Sequence, residues 1–235
     1  MIKNLTVFFP SYNEEENITE TVEKAVRVLK GLKLDWEVLI INDGSTDKTG
    51  EVADNLVKKI PGVKVVHQEN GGYGSALRSG FKNAKYDWVV YTDSDGQFDF
   101  SEITKFLDKT DEADLLLGYR LKRNDPIYRL LFAKGWALSL FIFFGLALKD
   151  VDCGFKMVKK EVLEKIGNLT STRGGMINAE LAIRTKKNGF QIAQIGVNHY
   201  PRTKGVPTGA SIKVIIQSYL DLLNLWLKLN FKNGK

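Results

Sequence analysis

The stretch Tyr91-Thr92-Asp93-Ser94-Asp95-Gly96-Gln97, entered through the apolar run Trp88-Val89-Val90, decides how this chain is read. β-formers that end in two carboxylates one residue apart predict a buried strand delivering paired acids to its C-terminal edge, where open α/β sheets take their ligands. Residues i and i+2 of a strand share a face. A slight turn at Ser94 and Gly96 therefore lets Asp93, Asp95 and the amide oxygen of Gln97 converge on one hard divalent ion, which keeps waters and holds substrate phosphates. Asp-Ser-Asp-Gly is also ordinary chemistry for a solvated acidic turn, and both readings stand at this point.

The same punctuation recurs before this stretch. Residues 5–9 form an apolar run closed by Pro10-Ser11, and the chain then turns acidic and helix-periodic to about Leu29. Glu14, Glu15 and Glu16 suit the positive end of that helix. Residues 36–41 read as a second buried strand, followed by Asn42-Asp43-Gly44-Ser45-Thr46-Asp47. Helix capping accounts for Ser45 to Asp47 but not for Asp43, whose carboxylate can accept a hydrogen bond from a nucleobase N–H. A third strand, 63–66, leads into Asn70-Gly71-Gly72-Tyr73-Gly74-Ser75, a glycine-rich helix entry where backbone amides can approach an anion.

Beyond the acidic pair come a helix over 101–109 and a fifth strand, 113–117, ending at Gly118-Tyr119-Arg120. Strands alternating with helices predict a mainly parallel sheet with helices on both faces and all polar punctuation on one edge.

Residues 130–148 hold only Lys134 and Ser139 as clearly polar members. That length just allows a membrane span. A helix lying on or dipping into the membrane surface fits better, because a crossing would split one catalytic domain across the bilayer and sink Lys134 into it; a buried core helix is the third reading. A helix over 177–187 carries Glu180 near its start, either as a catalytic base or as an acid favoured by the helix dipole. A strand over 192–200 follows, then the basic loop Pro201-Arg202-Thr203-Lys204-Gly205. The final helix, 211–229, has one narrow polar stripe and a wide apolar arc. The domain organisation predicted is a catalytic domain over 1–210, with the 130–148 helix inserted, and an amphipathic juxtamembrane helix over 211–235.

With 235 residues, 43% hydrophobic and 26% charged, the chain can bury one α/β core. The single Cys153 excludes an internal disulfide. The net charge of +6 favours polyanionic partners, but the basic residues are dispersed and form no nucleic-acid recognition module. The N-terminus turns acidic before a signal-peptide core is complete, which predicts a catalytic part on the cytoplasmic side. Self-association is left open.

Taken in order, FPSYNEEENI, NDGSTDKT, NGGYGSALRSGF, DSDGQFD, GYR, DCGFK and HYPRTKG resemble the family 2 glycosyltransferases of GT-A fold, and more narrowly the dolichol-phosphate and polyprenyl-phosphate sugar synthases. The resemblance covers nearly the whole chain. It implies that Pro10, Tyr12, Glu14 and Asp43 hold the nucleobase and ribose, with the backbone from Gly72 to Ser75 close by. Asp93, Asp95 and Gln97 would hold magnesium or manganese against the donor diphosphate. Arg202 would close on that diphosphate, and Arg120, Arg129 and Lys134 would receive the lipid phosphate. Two positions depart from the family: Asn42 stands where an acid is usual, and Phe100 replaces a proline.

The implied reaction is inverting transfer of a hexose from a UDP- or GDP-linked donor to a polyprenyl phosphate. Such an acceptor is already anionic and needs no general base. Transfer to a sugar hydroxyl would need one, and Glu180 is then the candidate. A membrane-surface scaffold that binds nucleotide without turnover is the third reading.

Overall fold

The computed structural model describes residues 2–122, 127–171, 174–205 and 212–231. Strand β1 (Asn4–Ser11) is buried from Leu5 onward, and its alternation sets the layers. Leu5, Val7 and Phe9 enter one apolar cluster and Phe8 the other, because successive side chains of a strand face opposite ways. Strands β2 (Asp35–Asp43), β3 (Val63–Gln68), β4 (Trp88–Tyr91), β5 (Leu115–Arg120), β6 (Lys156–Lys159) and β7 (Ile192–Val197) complete a seven-stranded sheet of order β3-β2-β1-β4-β6-β5-β7. β6 runs antiparallel to both of its neighbours and the other pairings are parallel. This is the mixed, mainly parallel sheet of the expected fold.

Helices α1 (Ile18–Gly31), α2 (Thr49–Lys59) and α4 (Ile103–Leu107) cover the Phe9 face. The other face carries α3 (Tyr73–Asn83), α5 (Ile127–Phe144), α6 (Lys160–Ile166), α7 (Gly174–Lys187) and α8 (Ile212–Phe231). In α1 the buried residues are Ile18, Val22, Ala25, Val26 and Leu29, and no side chain caps its start. Burial therefore holds the helix, at about 1.5–3 kcal/mol for each large apolar side chain. Phe8 stacks on Tyr91 at 5.4 Å and meets Phe81 edge-on at 5.4 Å. Gly80 permits this approach, since a side chain there would overlap the Phe8 ring.

At the opposite edge of the sheet from the ligand side, buried Glu37 accepts from Thr6 Oγ1 (2.8 Å), Lys85 N (2.8 Å) and Lys64 Nζ (2.8 Å). These bonds tie the turn before β4 to β1 and β2.

Three boundaries differ from the sequence-based expectation. The 101–109 helix is a 3-10 turn, Phe100–Glu102, followed by the short α4. The 130–148 helix starts at Ile127 and stops at Phe144, because Gly145 takes a left-handed φ of 64° and 145–148 leave the helix. The final helix begins at Ile212 and Ser211 lies outside the described residues.

Among the described residues no helix is long and apolar enough to cross a membrane. Helix α8 packs on α5 and α7 through Leu222 and Leu225, with Tyr219 edge-on to Trp136 at 5.1 Å and Trp226 against Phe143 at 5.6 Å. Leu138, Phe141 and Ile142 on α5, and Leu220, Leu223, Leu227 and Phe231 on α8, remain exposed.

Candidate active site

The acidic pair sits on a turn pinned from two sides. Ser94 Oγ donates to Pro10 O (2.9 Å) and Thr21 Oγ1 donates to Ser94 O (3.1 Å), which fixes the turn to the end of β1 and to α1. Gly96, at φ 75°, reverses the chain, and Gln97 N donates to Asp95 Oδ1 (3.1 Å). Tyr73 Oη donates to Asp93 Oδ1 (3.2 Å). The backbone of Gly154 lies so close that any side chain there would overlap the Asp93 carboxylate.

Burial raises the pKa of both acids. Asp95 is pushed up to about 6 by burial and then by the negative charge of Asp93. For Asp93, burial outweighs the opposing effects of Lys156 and the Tyr73 hydrogen bond. Lys156 lies fully buried and donates to Cys153 O. Two neighbouring carboxylates whose burial outweighs the nearby positive charge, and which line a cavity, are a donor set that suits magnesium or manganese, ions that keep positions for water and phosphate. Among the described residues no third His, Cys, Asp or Glu joins them.

Arg202 closes the other side. Its Nη2 donates to Glu14 Oε1 (2.9 Å) and Oε2 (2.8 Å), its Nε to Lys204 O (2.7 Å), and Nη1 lies 3.7 Å from Asp95 Oδ2. The segment carrying it is tied down by Gly205 N to Glu16 Oε2 (2.9 Å) and by Gln97 Nε2 to Tyr200 O (2.8 Å). Glu15 accepts from Lys48 N (2.8 Å). Glu14 and Glu16 thus hold the 201–205 segment and Glu15 the Lys48 turn; solvation at the helix start was the reading for Glu15 and Glu16, and a donor-site role was expected for Glu14.

Asp43 ends β2 and accepts at Oδ1 from Gln68 Nε2 (2.6 Å) and Gly71 N (3.0 Å). Asn42, at the position where the family usually has an acid, turns toward His67, its Nδ2 lying 3.0 Å from Nδ1. Its Oδ1 accepts from Ser45 N (3.2 Å).

Pro10, Tyr12, Glu14, Asp43, Gly72, Asp93, Asp95 and Arg202 line one cavity of about 470 Å³, together with Asn70 and Tyr73. Eight of the residues singled out in the sequence therefore meet in one place. Tyr73 and Gln68 were missed. A lone phenol inside a glycine-rich helix entry was the available signal for the first, and nothing in the local pattern marked the second.

Other expected site residues stand elsewhere. Ser75 does not line the cavity and accepts from Gln68 Nε2 (3.1 Å). Gln97 does not line it either, because its amide nitrogen binds the Tyr200 carbonyl. Glu180 is fully buried and accepts from Thr170 N, Thr170 Oγ1, Ser171 N and Arg184 Nε at 2.8–3.1 Å. Burial would raise its pKa, but the bonds from Ser171 and Thr170 and the Arg184 charge outweigh it and lower it. A saturated acid of lowered basicity corrects the expectation of a catalytic base. Arg120 forms a two-pronged pair with Asp150 (Nε–Oδ2 2.6 Å, Nη2–Oδ1 2.9 Å). Lys134 is exposed on α5, and the Arg129 side chain lies outside the described residues.

Comparison with known proteins agrees with this architecture. Residues 6–167 match the model of glycosyl transferase family 2. The chain is 30% identical over 221 residues to a polyprenol monophosphomannose synthase of Mycolicibacterium smegmatis, covering 88% of this chain and 82% of that one. It is 27% identical to a dolichyl-phosphate beta-glucosyltransferase of Trichomonas vaginalis, covering 82% of this chain but only 64% of that protein's length. Among solved structures, glucosyl-3-phosphoglycerate synthase from Mycobacterium tuberculosis, in complex with Mg2+ and uridine diphosphate, superposes with a TM-score of 0.72 at 22% identity, covering 94% of this chain and 80% of that one. The likeness extends to the whole sheet and its flanking helices, and the family match spans β1 through α6. On these grounds the chain belongs to glycosyl transferase family 2.

Proposed function

We propose that this enzyme is an inverting glycosyltransferase that moves a hexose from a UDP- or GDP-linked donor to a polyprenyl or dolichyl phosphate at the cytoplasmic face of a membrane. The observation that carries the donor half is the single cavity uniting Asp43, the Asp93–Asp95 pair and Arg202. In this reading Asp43 accepts from the nucleobase, with Pro10, Tyr12 and Gly72 around the base and Glu14 near the ribose and diphosphate. Asp93 and Asp95 hold the magnesium or manganese ion. When bound, that ion supplies positive charge against the departing diphosphate. Arg202 adds a fixed guanidinium on the same side, where charge develops as the donor bond breaks.

The acceptor half rests on other support. The polyprenol and dolichyl-phosphate relatives take lipid phosphates by name, and α5 and α8 carry an exposed apolar row of the kind that rests at a lipid interface. Residues 211–235 are then the juxtamembrane helix of a catalytic domain spanning 1–210. Arg120 at the end of β5, with Arg129 and Lys134 on α5, are the proposed cations for the acceptor phosphate. A phosphate monoester has a second pKa of about 6 and arrives ionised. The saturated state of Glu180 favours such an acceptor over a hydroxyl that must lose a proton. A phosphate oxygen attacks the anomeric carbon, the bond to the diphosphate breaks, and its electron pair leaves with the nucleotide. Attack opposite the leaving group turns an α-linked donor into a β-linked product.

Thermal shift of the purified chain with UDP, GDP and CDP, with and without manganese, tests the donor half. A ligand at one hundred times its Kd stabilises by about 2.7 kcal/mol. Manganese-dependent stabilisation by UDP or GDP is expected, and no response from folded protein to any nucleotide contradicts the reading.

A further inference from the structure

The contacts of Asp43 are one-sided. Both of its hydrogen bonds reach Oδ1, from Gln68 Nε2 (2.6 Å) and Gly71 N (3.0 Å), and among the described residues Oδ2 has no partner. Gln68 is the last residue of β3 and stands in register with Asp43 across the parallel pair. An amide side chain fits either way round. One orientation gives Asp43 a donor and the other sets an oxygen against its carboxylate. Here Gln68 Oε1 accepts from Ser79 Oγ on α3, and Gln68 Nε2 also reaches Ser75 Oγ (3.1 Å). Both ends of the amide are therefore engaged in the one orientation that suits Asp43.

We infer that Gln68, held by Ser79, is the positioning residue that leaves Asp43 Oδ2 facing the cavity as the acceptor for the nucleobase. The relay runs from Ser79 on α3 through Gln68 on β3 to Asp43 on β2, beside the direct bond from Gly71 N of the glycine-rich entry. It also selects the base. Uracil and guanine present a ring N–H at their pairing edge, whereas cytosine and adenine present a ring nitrogen lone pair there, which Oδ2 repels. This inference rests on the reading of the cavity as a nucleotide-sugar site and extends it to the choice of base.

The test is calorimetric titration of the full chain in manganese with UDP, GDP, CDP and inorganic pyrophosphate, the last probing the diphosphate end alone. For Gln68→Met the Kd of the preferred nucleotide should rise about tenfold, the effect of losing a hydrogen bond to a charged group, and its preference over CDP should fall by a similar factor. Pyrophosphate affinity should stay unchanged. Ser79→Ala should act in the same direction more weakly, and Ser79→Thr should restore the wild-type value. If Gln68→Met does not fold, the Ser79 pair decides. Equal weakening of nucleotide and pyrophosphate, or no change in either, overturns the inference. Wild-type chain that binds pyrophosphate without preferring any base overturns it alone, and wild-type chain that binds neither overturns the nucleotide-sugar reading beneath it.

Discussion

Arg202 Nη2 donates to both carboxylate oxygens of Glu14, at 2.9 and 2.8 Å, across 188 positions of sequence. The guanidinium is thereby held 3.7 Å from Asp95. Positioned in advance, it loses little in reorganisation when charge develops on the leaving diphosphate. Arg202→Ala should lower kcat by about 10²-fold or more while leaving manganese affinity within a few-fold. Steady-state kinetics together with manganese titration by electron paramagnetic resonance checks both parts.

Asp95→Asn should abolish manganese-dependent nucleotide binding, because one of two carboxylates is lost from the donor set. The wild-type protein should also show a pH dependence. Burial and Asp93 push the Asp95 carboxyl up to about 6, so a metal ion must displace a proton below that value. Manganese affinity should fall as pH drops through about 6 and level off above it. The stability effect has the opposite sense: a raised carboxyl pKa favours the folded state at low pH, and that contribution is lost as pH rises through the folded value. Titrations at several pH values, with and without metal, separate the two.

Glu180→Gln should damage the fold rather than the chemistry. The substitution removes the charge that Arg184 pairs with at 2.7 Å and that accepts from the Thr170 and Ser171 backbone. A cost of about 1–3 kcal/mol is expected, on the order of 3–10 °C in Tm. Transfer by the folded fraction should keep its kcat within a few-fold. A large loss of kcat at unchanged Tm would return Glu180 to the role of base.

Glu37 supplies a pH effect on stability alone. Burial would raise its pKa, but the Lys64 hydrogen bond, the Lys85 N–H and the Thr6 hydroxyl together lower it from 4.5. A lowered carboxylate pKa contributes stability that is present above the unfolded value and is lost as pH falls through the folded value. Denaturation curves should therefore show Glu37→Gln less stable than wild type at pH 7, with the gap closing below about pH 4.5.

Most of the sheet was legible because buried strands with turn residues at their ends leave a local signature, and Asp43, Asp93 and Asp95 all stand just past such runs. Pro10, Tyr12, Glu14 and Arg202 came from motif resemblance, and the cavity unites them. The antiparallel setting of β6 carried no local mark, since Lys156–Lys159 reads the same in either direction. Gln68 was invisible for a related reason. Its partners Asp43 and Ser79 lie 25 and 11 residues away and meet it only through strand register and helix packing. Glu180 misled because an acid early in a helix looks alike whether it faces a cavity or caps a neighbouring loop. The pairing of Arg120 was equally illegible, since its partner Asp150 sits 30 residues on.

The central claim is sugar transfer to a lipid phosphate, and a direct assay with radiolabelled UDP- and GDP-hexoses, polyprenyl phosphate in detergent or vesicles, and magnesium tests it most directly. The account predicts that one donor yields a labelled glycolipid with β linkage at the anomeric carbon, that product formation requires the metal, and that Asp95→Asn abolishes it. Donor binding with no label entering polyprenyl phosphate, while a sugar hydroxyl acceptor is labelled instead, would contradict it.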